Sequence, residues 1–305
     1  MFTDIRFHAV VSVAQERAAA RRDPVVLVEL PGHVTAWVVT QHELLLQVLT
    51  DPRVTKSSWH SLESMTTADG AEHRRLRNLI VQAFTPMLVA ALRPRIERIT
   101  ADLLDDLAAH REPGDDLTTG LIEAHDKGDR PTGSEPVGTL TIMIVAGHET
   151  TVDLLTNAVC ALLTYPDQLA LVLGGQHPWT AVIEETLRWD SPLGHLPMRY
   201  ATEDVIIGGT VLPKGQAILA PYVTAGRCPV YFGETADRFA ITRPPKRHVM
   251  FGHGPHLARL EAEVALLALF ARFPNLAMAA PVDNLTPIPS IVNNCARTLP
   301  VILAQ

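Results

Sequence analysis

Aromatic residues are scarce in this sequence, only 5% of 305, which argues against a stacking platform for nucleobases. No block of five like charges occurs, and the formal net charge is −7; nucleic acid and anionic membrane surfaces are therefore not expected as partners. There are three cysteines, Cys160, Cys228 and Cys295, an odd number without metal-ligand spacing, so neither a disulfide framework nor a structural zinc site is implied. The start, Met1-Phe2-Thr3-Asp4, lacks the charged-then-apolar pattern of a secretory signal. The apolar-rich stretch Leu140–Tyr165 contains His148, Glu149 and Asp153 and reads as a buried helix rather than a membrane span. A cytoplasmic chain is expected.

What is present is a large supply of core. Hydrophobic residues make up 47% of the chain, enough for one large domain. Strand patterns run over Val25–Leu30 and Val34–Val39, with Pro31-Gly32 between them. Helical periodicity follows at His42–Leu49, Glu72–Phe84 and Met87–His110, the last started by Thr85-Pro86. The Leu140–Tyr165 helix would span roughly 37 Å, the width of a domain. Thr180–Trp189 is a further helix. Short strands with glycine turns then occupy 205–219, and Leu257–Phe273 is a closing helix stopped by Pro274. The expected fold is mainly α with small β-sheets, a single domain over residues 1–305.

Four motifs carry chemistry. Ala146-Gly147-His148-Glu149-Thr150-Thr151 places a glycine inside a helix, at a cost of about 1 kcal/mol, beside an acid and a hydroxyl that could supply and relay a proton. Glu185-Thr186-Leu187-Arg188 sets opposite charges at i, i+3 on one face; alone, such a pair is usually solvated and weak. His73 and Arg77, at i, i+4, share a face, and Arg199 follows Pro197-Met198. Finally, Phe251-Gly252-His253-Gly254-Pro255-His256 runs directly into Leu257-Ala258-Arg259.

In this order the motifs resemble the cytochrome P450 family of haem-thiolate monooxygenases, and specifically its bacterial soluble members. The resemblance implies haem b as cofactor and insertion of one oxygen atom from dioxygen into a small organic substrate, as in secondary metabolism. Electrons would come from a ferredoxin-type donor with an NAD(P)H-dependent reductase. It implies catalytic roles for Glu149 and Thr150 and haem contacts from His73, Arg77, Gly147, Arg199, Phe251, Gly252, Gly254 and His256. It also implies a buried structural triad of Glu185, Arg188 and Arg238.

The sequence departs from that family at three places around the haem. The loop from Val54 to Thr66 is short. Between Arg111 and Asp115 only a turn stands where the family has roof helices. The family's axial cysteine would fall between His256 and Leu257, where this chain has no residue. The chain as it stands is expected not to turn over. Two readings follow: a monooxygenase completed by segments outside these 305 residues, favoured because the acid–hydroxyl pair and the haem contacts remain, or a haem-free, non-catalytic relative serving as a partner protein, for example an activator of a glycosyltransferase.

Overall fold

The computed structural model describes residues 5–6, 23–30, 34–56, 69–71, 73–75, 77, 85–108, 134–195, 198–245, 247–250, 256–290 and 292–303, with backbone alone for 5–6, 34 and 134–146. Strands β1 (Ile5–Arg6), β2 (Val25–Leu30) and β3 (Val34–Val39) precede helix α1 (His42–Thr50) and strand β4 (Val54–Thr55). Helices α2 (Pro86–Ala91), α3 (Arg93–Ala108), α4 (Ser134–Thr164), α5 (Pro166–Leu173) and α6 (Trp179–Trp189) follow. Then come β5 (Arg199–Ala201), β6 (Val205–Ile207), β7 (Thr210–Leu212), β8 (Ala217–Leu219), the short helices α7 (Tyr222–Gly226) and α8 (Pro229–Phe232), the long α9 (His256–Arg272), and β9 (Ala277–Met278) with β10 (Val301–Ile302).

The largest sheet has the order β1-β2-β3-β8-β5-β4, while β6–β7 and β9–β10 are separate two-stranded antiparallel pairs. β3 and β8 are parallel, so the chain crosses the helical part before returning to the sheet. That helical part is organised on α4, where Leu154, Ala158 and Leu162 are buried against Val182, Ile183 and Leu187 of α6 and Ala262, Leu266 and Phe270 of α9. A second apolar cluster joins α1 to the sheet through Val39, Leu45, Val48, Val205 and Ile218. The long buried helix is thus the spine that its hydrophobic pattern implies. At 31 residues it extends about 46 Å.

Three local features differ from the periodicity reading. The expected helix from Met87 to His110 is divided at Leu92, because Pro94 cannot donate the backbone hydrogen bond that a continuous helix requires there. Pro166 starts α5 at its first turn, extending the helical region past Tyr165. The short strand β5 also lies outside the periodic stretches, since three residues are too few to show alternation.

The triad is where the structure corrects the expected residue set. Glu185 and Arg188 are buried and joined by two hydrogen bonds, Nε to Oε2 at 2.8 Å and Nη2 to Oε1 at 2.7 Å. Arg238 is exposed and contributes only its carbonyl, which accepts from Arg188 Nη2 at 3.0 Å. The second arginine on Glu185 is Arg243, its Nε 3.4 Å from Oε1. The reason is the turn at Phe239-Ala240: Phe239 is buried, the Ala240 amide donates to Glu185 at 2.8 Å, and the chain comes back toward the glutamate only after it. Arg188 Nη1 also donates to the carbonyls of Gly226 and Ala236, at 2.7 and 2.8 Å. Gly226 is required at this junction, as a Cβ there would lie 1.9 Å from the Arg188 carbonyl oxygen.

Removing one member of a buried ion pair leaves the other uncompensated and costs about 3–5 kcal/mol. Glu185→Ala is expected to lose stability of that order in denaturant unfolding, Arg243→Ala to lose a smaller but clear amount, and Arg238→Ala to stay within about 0.5 kcal/mol of the parent, as surface substitutions do. Equal effects at Arg238 and Arg243 would contradict the assignment.

Candidate functional site

The basic residues collect where the sheet edge meets the helical segment around His73. β4 and β5 are antiparallel, with Val54 opposite Ala201 and Thr55 opposite Tyr200. One step further along this register Lys56 comes opposite Arg199. Like charges directly across a strand pair are destabilising, so this pairing is informative. Asp69 fixes the corner, accepting from the Lys56 amide at 2.8 Å and from the Thr55 hydroxyl. Lys56 Nζ lies 3.3 Å from His73 Nδ1. Arg77 is half-buried one turn beyond His73.

Burial pushes the Lys56 ammonium below its ordinary range, and the Arg199 charge pushes it the same way, against the pull of Asp69. Burial likewise lowers Arg199, despite Tyr222 and Asp69. The Arg199 Nε is buried without a hydrogen-bond partner. An orphaned guanidinium nitrogen beside a lysine and a histidine suits a bound anion, and carboxylates are its natural complement. The carboxylate-bearing edge of haem fits this group of residues.

The acid–hydroxyl motif lies on α4. Gly147 and Glu149 are exposed and Thr150 is half-buried. Among the described residues, a Cβ on Gly147 would meet nothing within 4 Å. Glu149 is held from the far end of the chain, where Asn293 Nδ2 donates to its Oε2 at 3.2 Å. One turn on, Asp153 is buried; burial raises its pKa, while Cys295 and Asn293 hydrogen-bond to it. Asn293 thus touches two acids of one helix face. Sequence reasoning missed Asn293, Lys56 and Arg243, because each acts through a partner far away in the chain.

At the remaining motif, Phe251, Gly252 and Gly254 lie outside the described residues. His256 is the exposed first residue of α9, and Leu257 is the second, so the helix runs through that junction without interruption. The first turns of α9 are clasped by Glu184, which accepts from Arg259 Nη2 at 3.2 Å and meets His248 Nε2 at 3.0 Å. The cysteines are elsewhere. Burial holds the Cys160 thiol up at about 11, and burial with Asp153 pushes Cys295 up as well; Cys228 is buried before α8. A thiolate ligand requires the opposite shift. A groove of about 360 Å3 between α3 and α9 shares no lining residue with this site. Among the described residues no helix is long and apolar enough to cross a membrane.

Comparison with known proteins identifies the family. The family model described as "Cytochrome P450" matches residues 179–287. The 2-hydroxy-5-methyl-1-naphthoate 7-hydroxylase of Streptomyces carzinostaticus is 33% identical over 375 aligned positions, covering 91% of this chain and 92% of that one. The 6-deoxyerythronolide B hydroxylase of Saccharopolyspora erythraea is 30% identical, covering 82% and 85%. The structure of CYP154C4 from Streptomyces sp. W2061 superimposes with a TM-score of 0.85 at 36% identity, covering 98% of both chains. The first alignment exceeds the 305 residues of this chain by 70 positions, so that relative carries internal segments without counterpart here.

Two outcomes test the site. Arg199→Met removes a half-buried charge whose enclosed Nε has no hydrogen-bond partner and is expected to stabilise the haem-free protein by about 1–3 kcal/mol in denaturant unfolding, while weakening haem uptake in an absorbance titration. The second concerns Glu184. Burial pushes its carboxyl up, but the His248 and Arg259 contacts outweigh this and hold it down at about 2. A depressed carboxylate contributes stability above its unfolded pKa, and that contribution is lost as pH falls from about 4.5 towards 2. Glu184→Gln should flatten this part of the acid unfolding curve and leave its shape near neutral pH unchanged.

Proposed function

From the premise that the chain belongs to the cytochrome P450 family, we propose that it serves haem-dependent monooxygenation, the insertion of one oxygen atom from dioxygen into a small organic molecule. The observation that carries this reading is the cationic corner at the end of the β4–β5 pair, where Lys56 and Arg199 come together and the Arg199 Nε has no hydrogen-bond partner among the described residues. Such an arrangement is costly in an empty protein and favourable around carboxylates.

When bound, haem supplies the activation of dioxygen. Lys56, His73, Arg77, Arg199 and His256 would hold its carboxylates, and Gly147 keeps α4 clear of side-chain bulk. Glu149 is an exposed acid, held by Asn293 and followed by the hydroxyl of Thr150; the pair can take up a proton from water and pass it inward. Residues 1–305 would form one domain. The substrate class is a small organic metabolite, the electron donor is ferredoxin-like, and the setting is cytoplasmic.

The reading includes a deficit. No residue separates His256 from Leu257, and none of the three cysteines stands in for the family's axial ligand. The thiolate is what favours O–O cleavage, so these 305 residues by themselves are inactive as an oxygenase and need a completing segment. The uninterrupted start of α9 favours a second reading, a haem-free partner protein, for example one that activates a glycosyltransferase.

Intact mass and the absorption spectrum of the reduced, carbon-monoxide-treated protein decide between them. The monooxygenase reading expects haem uptake that is weakened by Arg199→Met, and a thiolate-type spectrum only in a form heavier than 33.3 kDa. A 33.3 kDa protein that takes up no haem leaves the partner reading standing. A thiolate-type spectrum at that mass would contradict the deficit.

A further inference from the structure

Helix α4 turns two acids towards the C-terminal segment. Glu149 and Asp153 stand at i, i+4 and so share a face. Glu149 is exposed. Asp153 is only 4% exposed, and its Oδ2 is buried with no hydrogen-bond partner among the described residues. Facing both is Asn293, whose Nδ2 donates to Glu149 Oε2 at 3.2 Å and which also hydrogen-bonds to Asp153. One side-chain amide thus serves two acids.

The backbone around Asn293 is pinned, which leaves its side chain as the part that can change partners. Its own N–H donates to Ser290 Oγ at 3.0 Å, and it is bridged to Leu193. On either side, Gly194 donates to the Val292 carbonyl at 2.7 Å and Asn294 donates to the Pro192 carbonyl at 2.8 Å. The titratable groups that bear on Asp153 are Glu149 on its own helix and Cys295 on the C-terminal segment, with Cys160 and Asp190 acting on that thiol. The single thiol proton of Cys295 has a second acceptor, the Ala296 carbonyl at 3.0 Å. Burial favours the neutral acid at Asp153 and the Glu149 charge adds to this, while Cys295 and Asn293 favour the anion.

A hydrogen bond to an ionised group is roughly twice as strong as one between neutral groups. A buried anion without its bonds is far more costly than an exposed one, which water can serve. We propose that Asn293 is a two-position switch set by the proton on Asp153. While Asp153 is a neutral acid, the amide holds Glu149; once Asp153 loses its proton to water, the amide turns to the buried anion and releases Glu149 to solvent. Two like charges at i, i+4 also repel, so both effects act in the same direction. The inference rests on the monooxygenation reading for its use, because there Glu149 begins the proton relay, and the switch orients that relay only while Asp153 is protonated.

The test follows carboxyl and side-chain amide resonances of the full, haem-free chain from mildly acid to mildly alkaline pH, with carbon relaxation reporting the order of the Glu149 side chain. Asp153 is expected to titrate above the ordinary aspartate range. At the same midpoint the Asn293 amide should shift and Glu149 should change from ordered to mobile. Asp153→Asn should abolish the amide shift and keep Glu149 ordered throughout. It should also remove a loss of stability: the native state keeps the Asp153 proton to a higher pH than the unfolded chain, so stability falls as pH rises from the unfolded pKa to the native one. Asn293→Ala should leave Glu149 mobile at every pH and move the Asp153 midpoint higher still, since a donor to the anion is lost. An Asp153 carboxyl without a midpoint in this range overturns the proposal, as does an Asn293 amide indifferent to that midpoint. A Glu149 side chain that still becomes mobile in Asp153→Asn overturns it too. Every readout is taken without haem, so such results sink the switch and leave the monooxygenase reading to haem uptake and its spectrum.

Discussion

Arg188 is the residue on which the rest of this structure depends. Its guanidinium is buried, and all of its described bonds run to oxygen: two to Glu185 and one each to the carbonyls of Gly226, Ala236 and Arg238. A charge taken out of water must be satisfied on every side, and here that requirement draws three chain segments together around one side chain. α6 is thereby fixed to α7 and to the turn leading to Arg243. α6 in turn packs on α4 and α9, so the helix bearing the acid–hydroxyl pair and the helix that begins at His256 are oriented through the same anchor.

The cationic corner obeys the opposite logic. Arg188 is saturated, whereas Arg199 is not. The buried Arg188 has its complement within the chain, whereas the half-buried Arg199 keeps an enclosed Nε with no hydrogen-bond partner. The register of β4 on β5 brings Lys56 and Arg199 to the same end of the strand pair, and Asp69 hydrogen-bonds to the backbone and hydroxyl at that corner.

Much of the fold was legible because long apolar periods leave little choice. The central helix, α6, α9 and the first two long strands follow directly from spacing. The break at Leu92 needed only closer attention to Pro94. What could not be read was contact at a distance. Arg238 and Arg243 are five residues apart in similar company, and only the turn buried on Phe239 decides which side chain returns to Glu185. Lys56 sits in a stretch too short for alternation to show, and Asn293 lies in an irregular segment with no pattern of its own. The acid–hydroxyl pair, by contrast, was legible from local order alone, since its members are neighbours on one helix.

The hydrogen bond from Asn293 to Glu149 crosses 144 positions of sequence. Asn157, two turns further along the same helix, donates to the carbonyls of Asp190 and Asn294. The C-terminal segment is therefore stitched twice to α4, once at the acid and once below it. Grafting Ala146–Thr151 into another helical scaffold would carry the acid across without the amide that orients it. The transferable unit is the helix together with its distant strap, and an engineer who moved the motif alone would move a carboxylate free to turn to solvent.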